Sequence, residues 1–160
     1  MKLCIIVPCF NEANRLPIAD YQTFIEDFPE VGVHFVNDGS TDTTLSVLDA
    51  FQTKYPTQVQ VLDCKVNSGK GNAIQKAMQH ALKNNSFDTF AFLDADLSTE
   101  PAECVLLATK INSKTQFVFG SRIKKIDNTI ERKWFRFLVG RIIATAISGI
   151  LNLSVYDTQC

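Results

Sequence analysis

The sequence predicts an α/β fold, a mostly parallel sheet flanked by helices. Two observations carry this expectation. Strand-like runs rich in β-branched and aromatic residues alternate with stretches of helical apolar spacing along the chain. Four of those runs also end in polar loops, and a parallel sheet gathers such loops at one edge, where α/β folds place their ligands.

Leu3 to Val7 is a β-branched run closed by Pro8, the first strand, and Asn11-Glu12-Ala13-Asn14 is the loop after it. Tyr21 to Phe28 has apolar residues at helical spacing and stops at Pro29. Val31 to Val36 is the second strand, ended by the turn signal Asn37-Asp38-Gly39-Ser40. Ser40 or Thr41 is expected to cap the next helix, with Asp42 in its first turn and Leu45, Leu48 and Phe51 as its apolar stripe. Val59 to Leu62 is the third strand, and Asn67-Ser-Gly-Lys-Gly-Asn72 leads into a helix over Ala73 to Leu82. Phe90 to Leu93 is the fourth strand. Pro101 suits a first helical position after Thr99 as candidate cap, and that helix runs on through Val105 to Ile111. Phe117-Val-Phe119 is expected to be a fifth strand, closed by Gly120-Ser121-Arg122.

A chain of 160 residues, 46% apolar, can bury the core of one domain. Its formal charge of -1 gives no global basic excess, so no nucleic-acid partner is expected. The charge is uneven, however. Arg122, Lys124, Lys125, Arg132, Lys133, Arg136 and Arg141 face only Asp127 and Glu131 in the same stretch, which leaves the rest acidic. Trp134 to Val155 is apolar with helical spacing, and its uncharged part, Ile142 to Tyr156, is shorter than the roughly 18–20 residues needed to cross a bilayer. Basic residues, a Trp and an apolar face suit a helix lying in the membrane interface, and equally one packed on the sheet. The cysteines are odd in number (5) and form no C-x-x-C pair, so buried thiols in a reducing compartment are expected. Met1-Lys2 leads directly into the first strand, so no signal peptide is expected.

The chemistry concentrates in Leu93-Asp94-Ala95-Asp96. Two carboxylates one residue apart repel unless a cation lies between them, and a hard divalent ion, Mg²⁺ or Mn²⁺, suits the pair. A plain strand-end turn, where Asp is common, is the competing explanation. Together the four loops supply carboxylates, a lysine, small residues and helix N-termini, the parts of a nucleotide-diphosphate site.

With those residues on the page, the chain resembles family 2 glycosyltransferases of the GT-A fold, a Rossmann-like architecture, and among them the polyprenyl-phosphate (dolichyl-phosphate) mannose and glucose synthases. The resemblance rests on Val7-Pro-Cys-Phe-Asn-Glu12, Val36-Asn-Asp-Gly-Ser-Thr-Asp42, Asn67-Ser-Gly-Lys-Gly-Asn-Ala73, Leu93-Asp-Ala-Asp96, Gly120-Ser-Arg122, Glu131-Arg-Lys-Trp-Phe-Arg136 and Asp157-Thr-Gln-Cys160. It covers essentially the whole chain. It implies a GT-A catalytic domain over 1–122, with 123–160 a basic, amphipathic acceptor-side and membrane-interface segment of the same domain. It implies that Pro8, Glu12 and Asp38 hold the base and ribose of a nucleotide-diphospho-sugar donor. Phe10 stands where Tyr is common and keeps a stacking face. Asp94 and Asp96 would bind Mg²⁺ or Mn²⁺, with Ser98 a further candidate where the mannose synthases often have Gln. Ala95 would pass close to the donor. Lys70 is either a donor contact or a solvated loop residue. Arg122, Arg132 and Arg136 resemble arginines that take the phosphate of a polyprenyl-phosphate acceptor, for which a bidentate fork is apt; ordinary solvation competes for Arg132 and Arg136. Asp157-Thr-Gln-Cys160 leans toward the glucose-type branch.

The implied reaction is metal-dependent, inverting hexose transfer from a UDP-glucose or GDP-mannose type donor, at the cytoplasmic face of a membrane. The family motif normally continues past Cys160, so this chain is expected to be a piece of a longer protein. Transfer to a saccharide hydroxyl is the rival within the fold and would need a base, for which Asp157 is the candidate. A nucleotide-sugar-binding module without turnover is the rival outside enzymes. A haloacid-dehalogenase-type phosphatase lacks the acidic pair it needs after Ser98. A P-loop fails because Cys64 stands for its first glycine and Gly71 for its Ser or Thr.

Overall fold

The computed structural model describes residues 2–83, 87–120 and 145. Residues 1–111 form one compact unit and 112–160 a second. The first unit alternates β1 (Leu3–Cys9), α1 (Ile18–Asp27), β2 (Gly32–Asp38), α2 (Thr44–Lys54), β3 (Val59–Cys64), α3 (Lys70–Lys83), β4 (Thr89–Phe92) and α4 (Pro101–Ala108). All strand pairs among the described residues are parallel, in the order β3-β2-β1-β4.

The order explains where the helices lie. The chain steps outward from β1 to β2 to β3, then returns to add β4 on the far side of β1. Right-handed crossovers running in opposite directions put their helices on opposite faces. Accordingly Leu3, Ile5 and Val7 of β1 point into one core with Tyr21 and Phe24 of α1 and Leu48 and Phe51 of α2. Cys4 and Ile6 point into the other, against Ala73 and Ala77 of α3. Alternate β1 side chains therefore enter different cores, and the strand reads as continuously apolar because both faces are covered. Burial pushes the Cys4 thiol up to about 12. The reversal between β1 and β4 also opens a crevice at the strand C-termini, the usual ligand position in such sheets.

Several expectations change, among them the end of α4, at Ala108 short of Ile111, and the place of Asp42, before the first turn of α2. Helix α2 starts at Thr44, with no side-chain cap from Ser40 or Thr41. Both residues are engaged elsewhere: Ser40 Oγ accepts the Asn11 N–H at 3.0 Å, and the Thr41 N–H donates to Asn11 Oδ1 at 2.8 Å. Thr99 does not cap α4, whose N-cap position is Glu100, although Pro101 does begin the helix. Phe117-Val-Phe119 forms no strand; the two rings lie 5.8 Å apart, 75% and 47% exposed. Three alternating residues without a backbone partner among the described residues make no ladder there. The segment from Trp134 to Val155 lies outside the described residues, apart from a helical Thr145. No helix among the described residues is long and apolar enough to cross a membrane.

Gly39 follows β2 with φ +71°, and a Cβ there would lie 2.4 Å from the Asn67 backbone nitrogen. Gly39→Ala should therefore destabilise the protein by roughly 2 kcal/mol or more, combining left-handed strain with a backbone clash. Urea unfolding measures this, and a loss under about 0.5 kcal/mol would contradict it.

His34 of β2 is 4% exposed, with its ring edge-on to Phe87 at 5.3 Å. Burial, helped by the charge of His80, pushes its imidazole down to about 4. The unfolded chain, with a value near 6.5, takes up that proton first as pH falls. The contribution is complete above about pH 6.5 and is lost between about 6.5 and 4, at most roughly 3 kcal/mol. His34→Leu should flatten the dependence of unfolding free energy on pH across that window, and an unchanged slope would count against it.

Candidate functional site

A cleft of about 260 Å³ opens at the C-terminal ends of the strands, lined in part by Pro8, Phe10, Glu12, Asp38, Lys70, Asp94, Ala95 and Asp96. These are the donor-side positions singled out in the sequence, and four separate loops bring them together. Cys9, Arg15, Asn67 and Gly69 complete the lining. Ser98 does not line it, and Arg122, Arg132 and Arg136 lie outside the described residues.

The loops are fastened to one another by short polar side chains. Asn11, in the left-handed region at φ 55°, joins Ser40 and Thr41 as described above. Beside it the Glu12 N–H donates to Thr44 Oγ1 at 2.8 Å and the Ala13 N–H to Asp42 Oδ2 at 3.2 Å. The Thr44 hydroxyl in turn donates to Asp42 Oδ1 at 2.5 Å. These bonds hold the Asp42 carboxyl below its usual range.

Asp38 does the same for the loop before α3. Its carboxylate, 3% exposed, accepts the Ser68 N–H at 3.0 Å, the Ser68 hydroxyl at 3.0 Å and the Gly69 N–H at 2.8 Å. Lys70, the first residue of α3, thus follows two residues pinned to the end of β2. Its ammonium pairs with Asp94 Oδ1 and lies 5.9 Å from the centre of the Phe92 ring.

The carboxylate pair sits in a tight turn after β4. The Leu97 N–H donates back to the Asp94 carbonyl at 3.3 Å, and Leu97 takes φ 52°, costing on the order of 1–2 kcal/mol for a residue with a Cβ. The Ser98 N–H donates to Asp96 Oδ1 at 3.0 Å. That bond, together with others and the charge of Arg15, holds the Asp96 carboxyl below its usual range against some desolvation. Beneath the turn the buried Tyr21 hydroxyl reaches the carbonyls of Ala95 at 3.4 Å and Asp94 at 3.5 Å. Desolvation raises that phenol far above its ordinary value, so it remains a donor at any working pH.

Glu12 contributes an unfilled acceptor. Its Oε1 takes Arg15 Nη2 at 2.7 Å, while Oε2 is buried and finds no hydrogen-bond partner among the described residues. A buried, unpaired carboxylate oxygen costs on the order of 1–3 kcal/mol or more. Sequence reasoning passed over Arg15. The available signal was its spacing, three residues after Glu12 in the same loop. Cys9 is 1% exposed, and burial, then the Glu12 charge, push its thiol up to about 12.

Among the described residues no three His, Cys, Asp or Glu side chains form a metal cage. Asp94 and Asp96 nevertheless suit a hard divalent cation by donor chemistry. Two carboxylates on an open cleft leave positions for phosphate oxygens and water, which Mg²⁺ and Mn²⁺ favour.

The sequence pattern described as glycosyl transferase family 2 matches residues 4–157. The chain belongs to this family. It is 32% identical to a dolichyl-phosphate beta-glucosyltransferase of Trichomonas vaginalis, over 97% of this chain and 50% of that protein. It is also 32% identical to a bactoprenol glucosyl transferase of Shigella phage SfV, over 89% of this chain and 47% of that one. The chain thus spans about half the length of these curated relatives. Residues 1–349 of S. aureus TarS, solved in complex with UDP, superpose with a TM-score of 0.50 at 22% identity, covering 69% of this chain and 32% of that one. At that identity the likeness speaks for the shared fold, the GT-A α/β arrangement of family 2.

Asp38→Asn should remove one acceptor and present an N–H₂ to donors already in place. We expect a loss of roughly 1–3 kcal/mol in stability. Faster hydrogen exchange at the Ser68 and Gly69 amides should accompany it. Unchanged exchange there would mean that Asp38 does not hold the loop.

Proposed function

We propose that this chain is the donor-binding, catalytic part of a glycosyltransferase that moves a hexose from a nucleotide-diphospho-sugar to a polyprenyl phosphate. The observation that carries this reading is one cleft shared by the Asp94/Asp96 pair, the unfilled Glu12 acceptor and Lys70 at a helix N-terminus. The two relatives, a dolichyl-phosphate beta-glucosyltransferase and a bactoprenol glucosyl transferase by name, support a polyprenyl-phosphate acceptor and favour glucose over mannose.

Each residue then has a task. Phe10, 45% exposed on the cleft wall, offers a ring face to the base. Glu12, which lines the cleft, takes a hydroxyl or N–H of the nucleoside. Asp38 acts through the Ser68–Gly69 loop, which it holds, as well as by lining the cleft. Asp94 and Asp96 would hold a divalent cation, Mg²⁺ or Mn²⁺, which would supply charge neutralisation for the departing diphosphate. Ala95, between them, lines the cleft with its own side chain small and buried in the core, which leaves room for the donor to approach closely.

The nucleophile is a phosphate oxygen of the acceptor, anionic at neutral pH without help from a base. It forms a bond to the anomeric carbon from the side opposite the diphosphate. The bond from that carbon to the diphosphate oxygen breaks, and the nucleotide leaves with the electron pair, so configuration inverts. No proton need move, and no general base is required. By resemblance, Arg122, Arg132 and Arg136 take the acceptor phosphate. The basic stretch they belong to suits an anionic surface, and we place the protein at the cytoplasmic face of a membrane.

Calorimetric titration with UDP-glucose and GDP-mannose, each with and without Mn²⁺, tests this reading. One nucleotide sugar should bind tightly only with metal. Asp96→Asn, at an exposed position, should leave the fold intact and weaken that binding by at least about tenfold, as expected for loss of a metal ligand. Wild-type affinity in the variant would remove the metal role, and no binding of either donor would overturn the donor site.

A further inference from the structure

Lys70 and Asp94 form an ion pair inside the proposed donor site, and the pair has a consequence for the order in which that site fills. Of the two carboxylates after β4, Asp94 already carries a counter-ion, the Lys70 ammonium, whereas Asp96 is held by the Ser98 N–H. A divalent cation arriving alone meets one available carboxylate and one occupied by a positive charge.

The backbone at Lys70 cannot drift to relieve this, because Asp38 fixes the two preceding residues and the Ala73 N–H closes the first turn of α3 on the Gly69 carbonyl at 3.0 Å. The side chain is solvent-facing by contrast. Both partners are about half exposed, at 52% and 50%, so solvent screens the pair and an anion can compete for the ammonium. The Phe92 ring face beside it provides a second weak hold.

We propose that Lys70 is a positioning residue that keeps Asp94 neutralised while the cleft lacks donor and moves to the donor diphosphate when it arrives. The inference rests on the nucleotide-diphosphate reading above. The diphosphate offers Lys70 a stronger anionic partner at the N-terminus of α3, and Asp94 is released to the metal. Metal and nucleotide therefore assist each other's binding, and by linkage the factor is the same in both directions. The size of an exposed ion pair with one cation–π contact sets that factor at roughly three- to tenfold.

The test is Mn²⁺ binding to the full chain, read from the spectroscopic signal of free Mn²⁺, alone and with saturating UDP or GDP. Wild type should bind Mn²⁺ at least about threefold tighter with the matching nucleotide. Lys70→Met should bind Mn²⁺ alone roughly three- to tenfold tighter than wild type, with the nucleotide effect reduced, and Lys70→Arg should restore wild-type behaviour. A Lys70→Met protein that melts like wild type yet binds Mn²⁺ alone no more tightly overturns the inference and leaves the donor site standing. Absence of any metal-dependent nucleotide binding in wild type overturns the donor-site reading, and this inference with it.

Discussion

The cleft depends on one buried carboxylate and the backbone it holds. Asp38 ends β2 inside the protein, where an ionised group is costly unless fully hydrogen-bonded. The Ser68 and Gly69 N–H groups and the Ser68 hydroxyl meet that need. Satisfying Asp38 therefore fixes the loop in front of α3, and the loop sets where Lys70 emerges. Asn11 plays the corresponding part between β1 and α2. The cleft is thus framed by irregular backbone, with few of its walls supplied by regular elements. Its rigidity comes from side chain–backbone bonds, each individually modest.

Beneath those loops the sheet does what a parallel sheet does best. It places several strand ends side by side, and the change in winding between β1 and β4 leaves a gap that loops of both can line. The cost is concentrated at the turn after β4, where Leu97 takes a left-handed conformation. Strain of this kind persists when surrounding contacts over-determine it. Here the Tyr21 hydroxyl lies below the turn and the backbone bonds of Leu97 and Ser98 close it.

Much of this was legible in the sequence. The first four strands and the four helices follow from periodicity, and the residues of the cleft follow from where polar loops meet strand ends. What escaped was tertiary. Ser40, Thr41 and Asp42 all have the chemistry of helix caps, and no local rule could show that a loop 30 residues away would recruit them. Arg15 sits in a loop with no period to mark it, and its contact with Glu12 and its charge near Asp96 give it a place. Phe117 and Phe119 alternate as a strand would, but alternation says nothing about whether a neighbouring backbone is there to pair with.

One residue of the cleft wall has a consequence for chemical durability. Cys9 sits at the end of β1, within the lining, with its thiol pushed up to about 12. The thiolate is the form that oxidants and alkylating agents attack, and burial disfavours it here. Its sulfur is buried beside the cleft, where burial and the neighbouring Glu12 charge suppress its ionisation. Cys9 there behaves as a small apolar side chain packed in the core at the end of β1.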